Sequence, residues 1–441
     1  MNTLFSHVCV VTMDDRMSVW TDAFVGVTDG KISYLSKNAP EEKPEQIIDA
    51  TGMVLMPGLI NCHTHLPMQL LRGYADDLKL QEWLNDYIFP REDRLDGRCV
   101  RAATTLAVAE CLKFGVTSVS DMYYFCDDIC DVIAKSGMKA NISRGTSMFL
   151  GDDFDFETFP ACRELVALKE KWHNFDNGRI KIDAGIYSEY TSNYPLWEAL
   201  AGYASEKGLG LQLHLAEARN EVDSCLDRTG MTPGELLACH RLFAVPATAA
   251  GCAYLEPEEA KMLGKKKASA VALPLSAAKN GQHCAPITDL VKAGMNVALG
   301  TDGAIQAGNL DMFEVMRGAA MSVRAAKEDP SALPSSAALL MATYCGAQAQ
   351  GRSRECGMLK EGMDADLVLV DFTAPHLMPC HNVLTGLVYA AKGGDVAMTM
   401  VRGRILYQNG KFPTIDLNAV VEELTTYAIP KLFEKEDTNV G

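Results

Sequence analysis

Pro57-Gly58-Leu59-Ile60-Asn61-Cys62-His63-Thr64-His65 opens on a turn dipeptide, runs through apolar residues and ends on two imidazoles one residue apart. In a strand, residues i and i+2 share a face, so His63 and His65 point the same way. Two imidazoles on one face can hold one divalent ion. Placed at the end of an apolar strand and followed by a turn, they stand where a (β/α)₈ barrel keeps its chemistry.

Downstream of this stretch, apolar runs alternate with helix-like segments. Strands are expected over 116–120, 140–144, 180–186, 209–214, 268–273 and 297–299, and helices over 127–136, 157–172 and 196–207. Pro195 stands at the start of the last of these helices, where a missing N–H costs nothing. Repeated β-then-α units of this length imply a parallel sheet covered by helices, with enough units to close a barrel. Upstream, short strands are separated by turns at Asp29-Gly30 and Thr51-Gly52. β character returns from Leu359 through Leu367 to Asp371, Met398 to Val401 and Ile405 to Tyr407. The expected organisation is a composite β-sandwich from 1–56 and 359–415, a barrel over 57–358, and a C-terminal helix and tail over 416–441.

Two further strand ends carry polar groups. Leu211-Gln212-Leu213 leads to His214, with Glu217 three residues on, and Val297-Ala298-Leu299-Gly300-Thr301 leads to Asp302. Three His and one Asp at strand ends form a complete ligand set for zinc or a similar cation, and Glu217 is left as a proton carrier. Any one of these is unremarkable as a polar strand-end residue; the five together are not.

The chain has 441 residues, 48% hydrophobic and 22% charged, with a net charge of -16. That profile suits a soluble globular protein of one large and one smaller domain. The acidic balance argues against nucleic acid as a partner. The fourteen Cys lie singly in apolar or helical stretches, without a Cys-x-x-Cys pair, so no disulfide framework is expected. Cys126 and Cys130, four apart, read as helix packing. No signal peptide or membrane span is visible. The expectation is a cytoplasmic homo-oligomer acting on a small heterocyclic substrate.

The chain resembles the amidohydrolase superfamily, and within it the 5-methylthioadenosine/S-adenosylhomocysteine deaminase branch, with triazine hydrolases and guanine deaminases as relatives. The resemblance is carried by PGLINCHTHLPMQLLRGYADDLKLQEWLNDYIFPRED, SVSDMYY, SRG, LHLAEARNEV, NVALGTDGA, LDMFEVMR and GMLKEGMDADLVLVD. It implies a (β/α)₈ TIM-type barrel with a composite β-sandwich and one divalent metal per chain, zinc first, with iron and manganese as alternatives. It assigns His63, His65, His214 and Asp302 to the metal and Glu217 to proton transfer. It also implies that Glu92 contacts ribose hydroxyls and Arg144 a polar or anionic tail. The implied reaction is hydrolytic deamination. Asp302 takes a proton from an activated water, the oxygen attacks an sp² ring carbon, and Glu217 protonates the adjacent ring nitrogen as ammonia leaves.

Some positions depart from the family pattern. Gly251 stands where the family carries a sixth-strand His, and Tyr187 where the deaminases carry another His. Ala272-Leu273-Pro274-Leu275-Ser276-Ala277 keeps only the Pro and Ser of its motif. Retention of the ligands and Glu217 favours a rebuilt pocket over decayed catalysis. His283, on the loop after strand seven, is the candidate replacement donor, with Tyr254 or Tyr187 as the fallback; the bland alternative for His283 is a surface His on a loop. Three functions compete: an aminohydrolase of a purine-type ring, a hydrolase of another C–N or C–Cl bond, and a metal-binding homologue without turnover.

Overall fold

The computed structural model describes residues 1–78, 82–148 and 154–433. Among the described residues sixteen strands form two sheets. β1 (Thr3–Val11), β2 (Val19–Thr28), β3 (Lys31–Ser36), β4 (Gln46–Asp49) and β5 (Met53–Pro57) come first. The barrel follows as β6 (Leu59–Thr64), β7 (Val116–Tyr123), β8 (Lys139–Arg144), β9 (Ile180–Gly185), β10 (Leu211–Leu215), β11 (Ala247–Gly251), β12 (Ser269–Ala272) and β13 (Asn296–Leu299). β14 (Leu367–Asp371), β15 (Val396–Val401) and β16 (Arg404–Gln408) complete the set.

The eight barrel strands are parallel and lie in chain order from β6 to β13. Every residue of β7 is buried, as expected where one face meets the barrel interior and the other a layer of helices. The ring closes between β13 and β6 through a mixed seam rather than a ladder. Asn61 Nδ2 donates to Thr301 Oγ1 at 2.7 Å, the Thr301 amide donates to Asn61 Oδ1 at 3.0 Å, and the Asp302 amide donates to the His63 carbonyl at 3.0 Å. This seam sets a residue of the first strand beside the loop after the last.

The second sheet joins the two chain ends. β1 pairs antiparallel with β2, and gives its other edge to β4 over Thr3–Ser6 and to β5 at Cys9 and Val10. β5 pairs antiparallel with β14, from Pro57 opposite Leu367 to Met53 opposite Asp371, and β14 leads to β15 and β16. The sheet has its own apolar core, including Phe5, Val8, Val25, Leu55, Leu367 and Met400. Gly58 passes the chain from β5 into β6. A Cβ there would lie 2.2 Å from the Thr117 side chain, so only glycine fits.

Lys139, fully buried at the start of β8, ties the two parts together. Its Nζ is 2.6 Å from Asp366 Oδ2 and 2.8 Å from Asp364 Oδ2, and Asp364 also meets Lys31 and Arg402. Arg352, also fully buried, stands against the starts of β8 and β9. It donates to the carbonyls of Gly178, Ala140 and Arg179 and to Asn141 Oδ1.

The C-terminal segment expected as one helix is helical throughout its described part, with a π-helical turn at Leu424–Ala428 between Leu417–Glu423 and Ile429–Phe433. Tyr427 of that turn donates to Asp96 Oδ2 at 2.6 Å, which caps the helix Gly97–Lys113. The expected tail, 434–441, lies outside the described residues. Among the described residues no helix is long and apolar enough to cross a membrane.

Candidate metal centre and active site

His63 and His65 at the end of β6, His214 on β10 and Asp302 beyond β13 converge at the carboxyl ends of the strands. The ligating nitrogens of the three imidazoles lie within 4.8 Å of one another. Asp302 Oδ1 is 3.8 Å from His63 Nε2 and 3.4 Å from His65 Nε2. His63, His65 and Asp302 are buried, at 2%, 7% and 5% exposure, so these donors face each other and not water.

The surroundings leave the rings able to hold an ion. His65 Nδ1 hydrogen-bonds the Met122 carbonyl at 2.6 Å, and His214 Nδ1 the Tyr187 carbonyl at 2.7 Å. A carbonyl can only accept, so each Nδ1 carries the hydrogen and each Nε2 turns a lone pair inward. His63 Nε2 is buried and has no hydrogen-bond partner. An orphaned buried nitrogen is costly unless something takes its lone pair, and a divalent ion does. Burial and the His214 and His65 rings hold His63 well below its usual range, and burial with His65 pushes His214 down to about 4 against the pull of Asp302. Both rings are therefore neutral, the form that binds metal. The donor set fits one divalent ion, and elemental analysis of protein purified without chelator is expected to find about one per chain. A persistently empty site would count against the assignment.

Backbone anchors fix the set. Asp302 sits at φ +69°, a left-handed conformation that Asp tolerates better than most residues. Its Oδ1 accepts from the Gly303 amide at 2.8 Å and its Oδ2 from Ser276 Oγ at 2.7 Å. Asp121 Oδ1 accepts from Thr64 Oγ1 at 2.9 Å and from the Leu66 amide at 2.6 Å, pinning the turn that carries His65. Burial pushes Asp121 up to about 6. Asp121 lies inside SVSDMYY but drew no role from the sequence, because one Asp at a strand end looks like any other. Ser276 and Asp302 are each legible in the sequence, and the hydrogen bond between them is not.

Glu217 follows β10 near Asp302. The Glu221 carboxylate accepts from the amides of Ala216 and Glu217 at 2.9 Å each, which orients the loop. Desolvation of its carboxyl, with Asp302 and Glu221 adding repulsion, pushes Glu217 up to about 8. A carboxyl in that range is matched to giving and taking a proton near neutrality. Gly251 closes β11 at φ +90°, and a Cβ there would stand 2.9 Å from Glu217 Cβ. The missing side chain at Gly251 therefore leaves room for Glu217 itself.

The other expected site residues lie around this centre. Tyr123 donates its hydroxyl to Glu92, whose carboxyl burial pushes up. The Tyr187 ring stacks 6.3 Å from His214 at 11°. Arg144 ends β8 but pairs with Glu164 at 2.6 Å. His283 is exposed and sets its ring edge against Tyr254, 5.9 Å between centroids. It also lines, with Glu217 and Gly251, a small cavity of about 10 Å³, room for about one water.

Residues 54–406 match the model of the amidohydrolase family. The chain belongs to that family. It is 36% identical over 438 residues to a 5-methylthioadenosine/S-adenosylhomocysteine deaminase of Pelotomaculum thermopropionicum, covering 99% of this chain and 100% of that one. It is 35% identical over 425 residues to a 5'-deoxyadenosine deaminase of Methanosarcina acetivorans, covering 96% and 97%. Among solved structures it is similar to an adenosine deaminase from Xanthomonas campestris with bound zinc, at a TM-score of 0.90 and 30% identity, covering 96% and 97%. The barrel and the mixed sheet are thus those of an amidohydrolase.

Proposed function

We propose that this amidohydrolase is an aminohydrolase that releases ammonia from a purine-type or related amino-heterocycle. The observation that carries the reading is the convergence of three imidazoles and Asp302 beside Glu217. The relatives that match the whole chain are named deaminases of adenosine derivatives. His63, His65, His214 and Asp302 would hold a divalent ion, which supplies the Lewis acidity that makes water a nucleophile near neutral pH. Zinc is the metal of this reading, supported by the donor set and by the zinc in the Xanthomonas relative; iron and manganese suit the same donors.

The chain's own groups divide the remaining work. Asp302, held by Ser276 and the Gly303 amide, accepts a proton from the attacking water. The water oxygen bonds to the ring carbon while Glu217 delivers a proton to the adjacent ring nitrogen. The carbon–nitrogen bond then breaks as Asp302 returns its proton to the amine, which leaves as ammonia, and the second water proton passes to Glu217, so that both carboxyls are restored. Tyr187 flanks the ligands and Glu92 faces the same side, positions suited to contacting a nucleoside. His283, which lines the small cavity together with Glu217, is assigned as the compensating donor, reaching the site through one water for which that cavity has room. One such hydrogen bond corresponds to a loss of about tenfold in kcat/KM for His283→Ala. An unchanged value would make His283 ordinary loop surface.

The deciding experiment incubates metal-replete protein with a panel of amino-purines, their nucleosides and amino-triazines, with ammonia as the readout. Ammonia from a purine member supports the proposal. Chloride release or ring opening would move the chain to another hydrolase reaction, and metal without any turnover would make it a binding protein.

A further inference from the structure

Arg144 ends β8 at the mouth of the barrel, where its guanidinium would be the natural partner of an anionic substituent. In the structure that charge is already engaged. Nε donates to Glu164 Oε2 at 2.6 Å, Nη1 donates to the Gly145 carbonyl, and the guanidinium stands 4.8 Å over the Tyr124 ring. The Arg144 side chain is 17% exposed and Glu164 33%, so the pair is partly withdrawn from solvent screening. Glu164 lies on the helix Pro160–Trp172, which packs against β8 and β9.

This pair belongs to the wall of the site. The Tyr124 ring is 5.6 Å from the Tyr187 ring, and Tyr187 stacks 6.3 Å from His214. A file of rings thus runs from the ligand set to Arg144, a span that a nucleoside with a substituent can cover. A carboxylate brought to Arg144 would have to displace Glu164 or lie against it as a like charge.

We infer that Glu164 is a specificity-determining residue: by cancelling Arg144 it selects, at this wall, substrates whose substituent is uncharged over those that end in a carboxylate. The inference rests on the proposed function for the heterocycle and adds the chemical class of its substituent. Arg219 supplies an internal control. It is exposed, makes no ion pair among the described residues and lies 5.0 Å over the Tyr254 ring, so changes at Glu164 leave its charge in place.

The test uses 5-methylthioadenosine and S-adenosylhomocysteine, which share the adenosine and its thioether and differ in the charged amino-acid tail. Metal-replete wild type, Glu164→Gln and Arg144→Gln are compared by ammonia release and by calorimetric binding. Wild type is expected to favour the uncharged compound by about tenfold or more, the scale of one charge-assisted contact. Glu164→Gln, which frees Arg144, narrows the gap by about tenfold. Arg144→Gln, which leaves Glu164 alone, widens it. Equal handling of the two compounds by wild type, or a gap that neither variant moves, overturns the inference. If neither compound yields ammonia but calorimetry keeps the preference and its response to Glu164→Gln, the deaminase reading fails and the selectivity stands. A purely structural role for Glu164 would change both compounds alike.

Discussion

Glu217→Gln is expected to lower kcat by about 10²- to 10⁴-fold, the usual scale of a lost general acid–base group, while the metal content stays at the wild-type level. The amide keeps the shape of the carboxyl and still packs against Gly251, where the close approach involves Glu217 Cβ and Cγ. Glu221 holds the loop through the amides of Ala216 and Glu217, which the substitution does not touch. What is lost is a group able to release and recapture a proton. Because the ligands come from other positions, metal analysis separates this effect from collapse of the site. Turnover like wild type on the identified substrate would remove Glu217 from the mechanism.

Lys139→Ala should be the most damaging single change away from the site. It leaves two buried carboxylates, Asp364 and Asp366, without their shared cation, and breaking a buried pair from one side costs about 3–5 kcal/mol. Thermal and denaturant unfolding of the metal-replete protein would read this loss, and a variant within about 0.5 kcal/mol of wild type would show the network to be dispensable. The pH dependence carries a sign. Against the effect of burial, Lys139, Lys31 and Arg402 hold Asp364 down at about 2. A depressed carboxyl contributes stability above its unfolded value of about 4 and loses it as pH falls through the folded value. The stability difference between wild type and variant should therefore shrink between about pH 4 and about pH 2.

The parts of the molecule that were legible in the sequence are those governed by periodicity along one strand. His63 and His65 could be placed on one face by spacing alone, and His214 and Asp302 by their position after apolar runs. Alternation of β and α segments was enough for the barrel, and turn dipeptides for the outer strands. What was hidden depends on contacts between distant segments. Glu164 looks like a solvated helix acid until the fold sets it against Arg144, twenty positions earlier. Lys139, at the start of a strand, reads as a surface cation, yet the returning C-terminal strands bury it completely. Gly251 read as a vacated position, because a missing side chain carries no information about its neighbours. The structure shows Glu217 against it.

The seam between β6 and β13 has a consequence for how the protein is made. Asn61 and Thr301, which close the ring, are 240 positions apart. Ribosomes add about 5–20 residues per second, so the first two imidazoles wait on the order of 10–50 s for the strand that brings Asp302 beside them. Over that interval the nascent chain carries first two and, after His214, three of the imidazoles but no four-donor cage. β5 likewise waits for β14, its antiparallel partner from the far end of the chain. Selective capture of an ion thus becomes a late event in biogenesis, reserved for chains whose synthesis has passed about two-thirds of its length.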